Sequence, residues 1–389
     1  MSDPFHDIGL IVVCSAVIGW FCTRVHQPII LGYLIVGICA GPSVFGLVDD
    51  AATIESISHI GVTLLLFLAG LVLEPHKLIA EFKLIFSATA FGGVVSSLPV
   101  VIVMKLFGYG WGESMLAAIA LTFSSTILIV KLMPTRTLHH KRMGSLSVGI
   151  LVLQDILAVV VIMFITATGS ENTPLFTVVN IIGRAVLLIV LALLFERYVL
   201  RKMVDSSKHY LEMMNILYLG WCLGMALMAK NIGLSYEIGA FVAGVSLARN
   251  KLSLWVHEEL KPLRDFFLML FFFALGAGLD LSVATSITLW LPGIIVSASI
   301  LILRPWVYRL IFARMGETET FSKEIGLRLG QASEFALIIA LTAQQAGKIS
   351  ASASQFIQLT AITTIAVSAY MTVKKCYTPL GIEDQLKLD

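Results

Sequence analysis

Long apolar runs alternate with short polar breaks from one end of the chain to the other. Thirteen runs can be marked, at 7–25, 28–41, 54–73, 81–105, 111–134, 143–168, 174–203, 212–230, 234–250, 261–281, 287–315, 323–346 and 353–375. Each is long enough to cross, or nearly cross, a hydrocarbon layer about 30 Å thick. The runs are apolar on all sides and lack the strict alternation of a membrane β-barrel. A helix is the element that pairs every backbone group within its own segment. The pattern therefore predicts an all-α polytopic membrane protein with about thirteen transmembrane helices, and the breaks are too short to hold a soluble domain.

Composition agrees with the pattern. Of the 389 residues, 58% are hydrophobic and 13% are charged, against about 25% charged in ordinary soluble domains. The start of the chain carries Asp3 and Asp7 instead of a basic stretch, which predicts no cleaved signal peptide. The five cysteines (Cys14, Cys22, Cys39, Cys222 and Cys376) lie mostly inside apolar runs with no metal-ligand spacing.

Placing the charges orients the chain. Arg24, Lys77, Lys83, Lys131, Arg136, Lys141, Arg142, Arg197, Arg201, Lys202 and Lys208 fall on one set of alternate breaks. Arg249, Lys251, Lys261, Arg264, Arg309, Arg314, Lys323, Arg328, Lys374, Lys375 and Lys387 continue that set, whereas the opposite set holds Lys105, Lys230 and Lys348. Basic residues collect on cytoplasmic loops, so the N-terminus is predicted outside and the C-terminus inside. Topology explains this basic clustering without a nucleic-acid partner. Arg184 and Arg304 belong to neither set and sit within apolar runs.

Two pairs of segments resemble each other at one offset. LFLAGLVLEP at 66–75 matches FFFALGAGLDL at 271–281, and LTFSSTILIV at 121–130 matches LGQASEFALII at 329–339. Partners lie seven runs apart, an odd number, so they cross the membrane in opposite directions. The pattern predicts an inverted-topology repeat of approximately 7–168 against 212–375, joined by a connector helix at 174–203. Secondary transporters are commonly built this way, with the site near the midplane.

Polar residues at membrane depth carry the functional signal. Thr122, Ser124, Ser125 and Thr126 interrupt the fifth run, and Gly330, Gln331, Ser333 and Glu334 interrupt the twelfth. Hydroxyls that bond back to the backbone weaken the helical ladder, so both helices are predicted to break in mid-membrane. Broken helices present backbone carbonyls to a cation, and their half-helix N-termini call for an anion. Glu334 and Asp155 supply that charge. Asp155 follows Gln154 near the middle of the sixth run. A carboxylate at such depth costs about 2.5–3.5 kcal/mol on insertion scales, and loss of water disfavours its charged form. Such a group holds either a proton or a metal cation, and the competition between them is the essence of exchange. The ion and proton site is therefore expected at Asp155, Gln154, Thr122, Ser124 and Ser125. Gln154 would offer a carbonyl oxygen without a charge. Glu334, Arg304, Gln331 and Ser333 are expected as supporting charges and broken-helix residues. Arg304 precedes Pro305, cannot give up its proton, and is expected to pair mainly with Glu334. One titrating carboxylate carries one proton or one monovalent ion, which makes exchange one for one and electrically silent.

These residues carry a resemblance. PIILGYLIVGICAGP (28–42), TFSSTILIVKLM, ILVLQDILAVVVI and LSYEIGAFVAGVSLA (234–248), with the repeat segments above, resemble the membrane domain of the monovalent cation–proton antiporter-2 family, especially its Kef-type potassium–proton branch. The resemblance implies a thirteen-helix sodium/proton antiporter-like fold in the inner or plasma membrane. It also implies a homodimer, and an elevator-like motion of core helices (approximately 81–168 and 287–375) past dimerisation helices (approximately 7–73 and 174–281). It implies that the residues at Gln154 and Asp155 bind ion and proton, and that Gln–Asp marks an electroneutral exchanger preferring K⁺ to Na⁺. Kef-type proteins continue into a nucleotide-binding regulatory domain. This chain stops about a dozen residues past the last run without a G-x-G-x-x-G fingerprint, so glutathione or nucleotide gating is not carried over and a separate regulatory subunit has a place. The expected protein is a transporter rather than an enzyme. It needs no cofactor beyond the transported ions, and its partners are lipids, cations and protons. A gated K⁺ efflux channel on the same scaffold is the competing expectation.

Overall fold

The structure, a computed structural model, describes residues 4–25, 27–48, 60–61, 63–64, 66–68, 70–71, 81–134, 137, 141–167, 174–207, 210–248, 253–279, 287–376 and 378. Among them the regular structure is helical and no strand occurs. In chain order the helices are α1 (Pro4–Arg24), α2 (Ile29–Ala40), α3 (Phe82–Leu106), α4 (Trp111–Ala120), α5 (Thr126–Leu132), α6 (Arg142–Ala167) and α7 (Pro174–Phe195). A π-helical turn (Glu196–Leu200) leads into α8 (Arg201–Ser207), α9 (Leu211–Asn231), α10 (Tyr236–Leu247) and α11 (Ser253–Ala277). The last four elements before the C-terminus are α12 (Ile287–Arg314), α13 (Glu319–Arg328), α14 (Phe335–Gln345) and α15 (Ala351–Lys375). Residues 60–61, 63–64, 66–68 and 70–71 contribute further helical positions, and the rest of the run expected at 54–73 lies outside the described residues.

Six of these helices are long and apolar enough to cross a membrane, on α1, α3, α6, α9, α12 and α15. Two of the runs are each two half-helices, 111–134 as α4 and α5, and 323–346 as α13 and α14, interrupted where the sequence predicts a break. Hydroxyl and amide side chains at 122–126 and 331–334 pull the backbone out of the ladder, as described below. The helix expected from 261 begins earlier, at Ser253. Val256, Leu260, Arg264 and Leu268 lie four apart and are all buried, so a buried stripe continues through a segment that mean hydropathy reads as polar.

The contacts divide the chain into two compact units. One comprises 1–51, 78–168 and 272–389, the other 52–77 and 169–271. In the first unit a core of Leu84, Ile85, Ile129, Leu146, Ile150, Phe312, Ile325 and Leu329 joins α3, α5, α6, α12 and α13. Lipid is as apolar as leucine, so helices associate there by close packing rather than by the hydrophobic effect. Small residues then decide where backbones can touch.

Two such contacts, one in each unit, share one pattern. In the first, a Cβ on Gly37 of α2 would come well under 3.0 Å from the Phe273 carbonyl oxygen of α11, and one on Gly276 would strike the Leu34 carbonyl oxygen of α2. In the second, a Cβ on Gly244 of α10 would strike the Phe67 carbonyl oxygen, and one on Gly70 would strike the Phe241 carbonyl oxygen. The partners are backbone atoms and cannot rotate away. Replacing Gly37 or Gly244 by Leu is expected to cost about 1–3 kcal/mol by overpacking, seen as a lower melting temperature in detergent. Gly183→Leu, where nothing lies within 4 Å of the new atom, is expected to melt like the parent.

Candidate functional site

The first interruption separates α4 from α5. Thr122 Oγ1 donates to the Ala118 carbonyl at 2.7 Å and takes up an oxygen that the end of α4 leaves without a partner. Ser125 caps α5 by accepting from the Leu128 amide at 3.1 Å. Ser124, between them, faces away from both halves. Its Oγ donates to the Leu329 carbonyl at 2.9 Å, and its amide donates to Gln154 Oε1 of α6 at 2.8 Å.

The second interruption separates α13 from α14 and is held in the same manner. Ser333 Oγ accepts from the Phe335 amide at 3.2 Å. The Ala332 amide donates to Thr364 Oγ1 of α15 at 3.2 Å. Gln331 spans the two interruptions, with its Nε2 at 3.5 Å from the Ser125 carbonyl and its Oε1 accepting from Ser368 Oγ at 3.0 Å. Gly326 of α13 and Gly330 just past its end, four apart, seat this half-helix on Pro305 of α12.

Arg304 lies where the interruptions meet and is 1% exposed. Its guanidinium donates to the Gln331 carbonyl at 2.7 Å, to the Phe123 carbonyl at 3.5 Å, to the Leu121 carbonyl, and through Nε to Ser96 Oγ of α3 at 3.1 Å. The expected ion pair with Glu334 is not formed. Helix C-termini carry about half a negative charge and four unpartnered carbonyls, and the fork of an arginine suits several oxygens at once. The guanidinium therefore answers the C-terminal end of α4 and one carbonyl within each interruption.

The carboxyl groups answer the opposite ends. Asp155, 7% exposed, accepts through Oδ2 from Thr126 Oγ1 at 3.0 Å, and Thr126 is the first residue of α5. Glu334 is itself the N-cap residue of α14. The hydroxyls of Ser125 and Ser333 and the amide of Ile127 face its carboxyl group, which is 3% exposed, and its Oε2 has no hydrogen-bond partner. Both carboxyl groups thus meet the first turn of α5, Asp155 through Thr126 and Glu334 through Ser125 and Ile127.

All the expected site residues except Thr122 have a polar group in this network. The Thr122 hydroxyl is used within α4, and the hydroxyl that reaches Asp155 belongs to Thr126. Gln154 is fully buried and engaged at both amide atoms, because its Nε2 donates to Tyr308 Oη at 3.1 Å. Tyr308, Ser96, Thr364 and Ser368 were not read as site residues. A signal for Tyr308 was available, since it lies four residues after Arg304 on the same face of α12. Gly92 and Ser96 of α3 are likewise four apart; the first admits the Tyr308 ring and the second receives Arg304. Arg184 belongs to the other unit, where it donates to Asn180 Oδ1 at 2.9 Å. Among the described residues, no group of three or more His, Cys, Asp or Glu could hold a metal ion.

The family described as sodium/hydrogen exchanger, transmembrane, matches residues 11–374. The glutathione-regulated potassium-efflux system protein KefC of Shigella sonnei is 28% identical over 365 residues, covering 92% of this chain and 58% of that protein. KefC of Klebsiella pneumoniae matches with the same identity and coverage. The chain thus spans 58% of the length of these relatives. Among solved structures, the sodium proton antiporter MjNhaP1 from Methanocaldococcus jannaschii at pH 8 superposes with a TM-score of 0.66 at 18% identity, over 94% of this chain and 92% of that one. The fold is shared with that antiporter.

Arg304→Met leaves three backbone carbonyls unanswered where water is scarce. Each such group costs about 1–3 kcal/mol, so the variant is expected to lose most of its folded, monodisperse population in detergent chromatography. Arg309→Met, which removes an exposed ion pair with Glu319, is expected to elute as the parent does.

Proposed function

Since the chain belongs to the sodium/hydrogen exchanger family and is a multi-pass membrane protein, we propose that it exchanges a monovalent cation for protons across the cell membrane, with Asp155 holding the two in turn. The observation that carries this reading is a buried carboxylate at the N-terminal end of a half-helix, beside hydroxyl oxygens that suit a hard monovalent ion. A proton and a cation both satisfy that position, and neither can enter while the other stays.

Exchange is one for one in this proposal. Arg304 is committed to carbonyl oxygens, so it does not neutralise Glu334. A buried carboxyl group with no cation within ion-pair distance is held at lower cost as the neutral acid. Glu334 keeps its proton through the cycle, and Asp155 alone changes its occupant. K⁺ is the preferred cation; the likeness to the potassium-efflux protein and the neutral Gln154 beside Asp155 support this. The Gln154 amide holds the first interruption open, and any ion contact it makes comes from the remaining lone pair of its oxygen.

An inverted-topology repeat underlies the site, with the N-terminus outside. The reciprocal glycine contacts support it, because α2 meets the Phe273 segment as α10 meets the Phe67 segment. An elevator-like motion of a homodimer completes the proposal. Both interruptions, α6, α12 and α15 fall within one compact unit, as a moving core requires.

Proteoliposomes with an internal pH dye test the reading when K⁺, Na⁺ or Li⁺ is added outside. The expected result is cation-driven proton movement, largest for K⁺ and insensitive to a clamped membrane potential. Asp155→Asn is expected to abolish it, while Glu334→Gln keeps it within a few-fold. A potassium current without proton flux would identify a channel instead. Full activity in Asp155→Asn would remove Asp155 from the site.

A further inference from the structure

The helix α15 carries hydroxyls at Thr360, Thr364, Ser368 and Thr372, four residues apart and all at most 2% exposed. A row of buried hydroxyls on one helix is in itself ordinary packing, since each can bond back to its own backbone. Two of these four do something else. Thr364 Oγ1 donates its proton to the Ala361 carbonyl at 2.8 Å and accepts from the Ala332 amide at 3.2 Å. Ser368 Oγ donates to Gln331 Oε1 at 3.0 Å. Thr360 Oγ1, on the same face, has no hydrogen-bond partner.

The Ala332 amide is the one that the second interruption turns towards α15. The Ser124 amide is its counterpart in the first interruption, and there the acceptor is Gln154 Oε1 of α6. The two helices hold equivalent places, each the last of its half of the chain. Each supplies one side-chain oxygen to one amide that an interrupted helix has released, and each acceptor is held by a further bond, Gln154 to Tyr308 and Thr364 to Ala361. Thr364 therefore does for the second interruption what Gln154 does for the first. The residues it steadies are flanked by Gln331, whose carbonyl receives Arg304, and by Glu334 at the start of α14.

We propose that Thr364, seconded by Ser368, is a positioning residue for cation exchange: it fixes the Ala332 amide and so sets where the N-terminal end of α14 stands relative to Arg304 and the ion. This rests on the antiport reading above, but its structural half can be judged without it. Thr364→Val keeps the shape and removes the acceptor. Thr360→Val makes the same change one turn away, where no bond is lost.

The experiment pairs cation titration in proteoliposomes, with KCl and NaCl in separate series, with amide hydrogen exchange of peptides covering 329–334 in the intact protein. Thr364→Val is expected to raise the apparent KM for the cation about tenfold, as the loss of one buried hydrogen bond predicts, with the maximal rate changed less. It is expected to speed exchange in the Ala332 peptide. Thr364→Ser is expected to restore both readouts, Ser368→Ala to give a smaller shift in the same direction, and Thr360→Val to leave both unchanged. If Thr364→Val behaves like the parent, or if Thr360→Val moves both readouts equally, Thr364 is packing and the proposal fails. If the parent shows no cation-driven proton flux, the antiport reading fails by itself, and the hydrogen-exchange comparison still decides whether Thr364 holds the interruption.

Discussion

A helix interrupted inside a membrane leaves carbonyl oxygens and amides facing each other with no water to share. Here the carbonyls of Leu121, Phe123 and Gln331 converge on Arg304, and that convergence is the constraint on which the rest of the unit depends. The guanidinium is permanent, planar and rich in donors. It links the C-terminal end of α4 to the second interruption and ties both to Ser96 of α3. Without it the two interruptions would repel each other, carbonyl against carbonyl. The small residues around it follow from this placement. Gly326 and Gly330 bring α13 onto the proline turn that carries Arg304, and Gly92 leaves room for the Tyr308 ring.

Once the negative ends are answered, the positive ends become available for function. The N-terminal ends of α5 and α14 attract anions, and Asp155 and Glu334 sit there. A carboxylate facing a half-dipole and a hydroxyl, as Asp155 does, is stabilised enough to exist in the bilayer. In the proposed exchange, this separation of roles, with a fixed cation on the carbonyl side and an exchangeable charge on the amide side, lets a mobile ion come and go without loss of the fold.

Much of this was legible in the sequence because membrane depth makes polar residues conspicuous. Asp155, Gln154, both interruptions and the buried Arg304 stand out against apolar neighbours, and the local chemistry of Ser, Thr and Gly says that a helix must open there. What the sequence left ambiguous was pairing. A buried arginine suggested a buried acid, and Glu334 was the nearest candidate by pattern; the competing partner, a helix C-terminus, is a property of backbone geometry that no letter records. Thr364 and Ser368 were overlooked for a related reason. Threonine in a membrane helix usually bonds to its own turn, and only the position of the Ala332 amide distinguishes Thr364 from Thr360. The early start of α11 was missed because four-residue spacing, rather than mean hydropathy, marks its buried face.

The two halves of the chain solve one problem with different residues, and the difference bears on function. Both must hold a released amide, but the first half uses a glutamine next to an acid, whereas the second uses a threonine followed one turn later by a serine. An amide side chain is longer and has a second arm, which in Gln154 reaches Tyr308 and so couples the first interruption to the helix that carries Arg304. Thr364 has no such arm, and beyond the Ala332 amide it bonds only to its own helix. The first interruption is thereby tied to α12 through both Arg304 and Tyr308, whereas the second is tied to it through Arg304 at Gln331 and otherwise to α15. If the site is to change its exposure while Asp155 keeps its place beside Thr126, the second interruption is the one with freedom to shift, since fewer bonds tie it to the arginine-bearing helix.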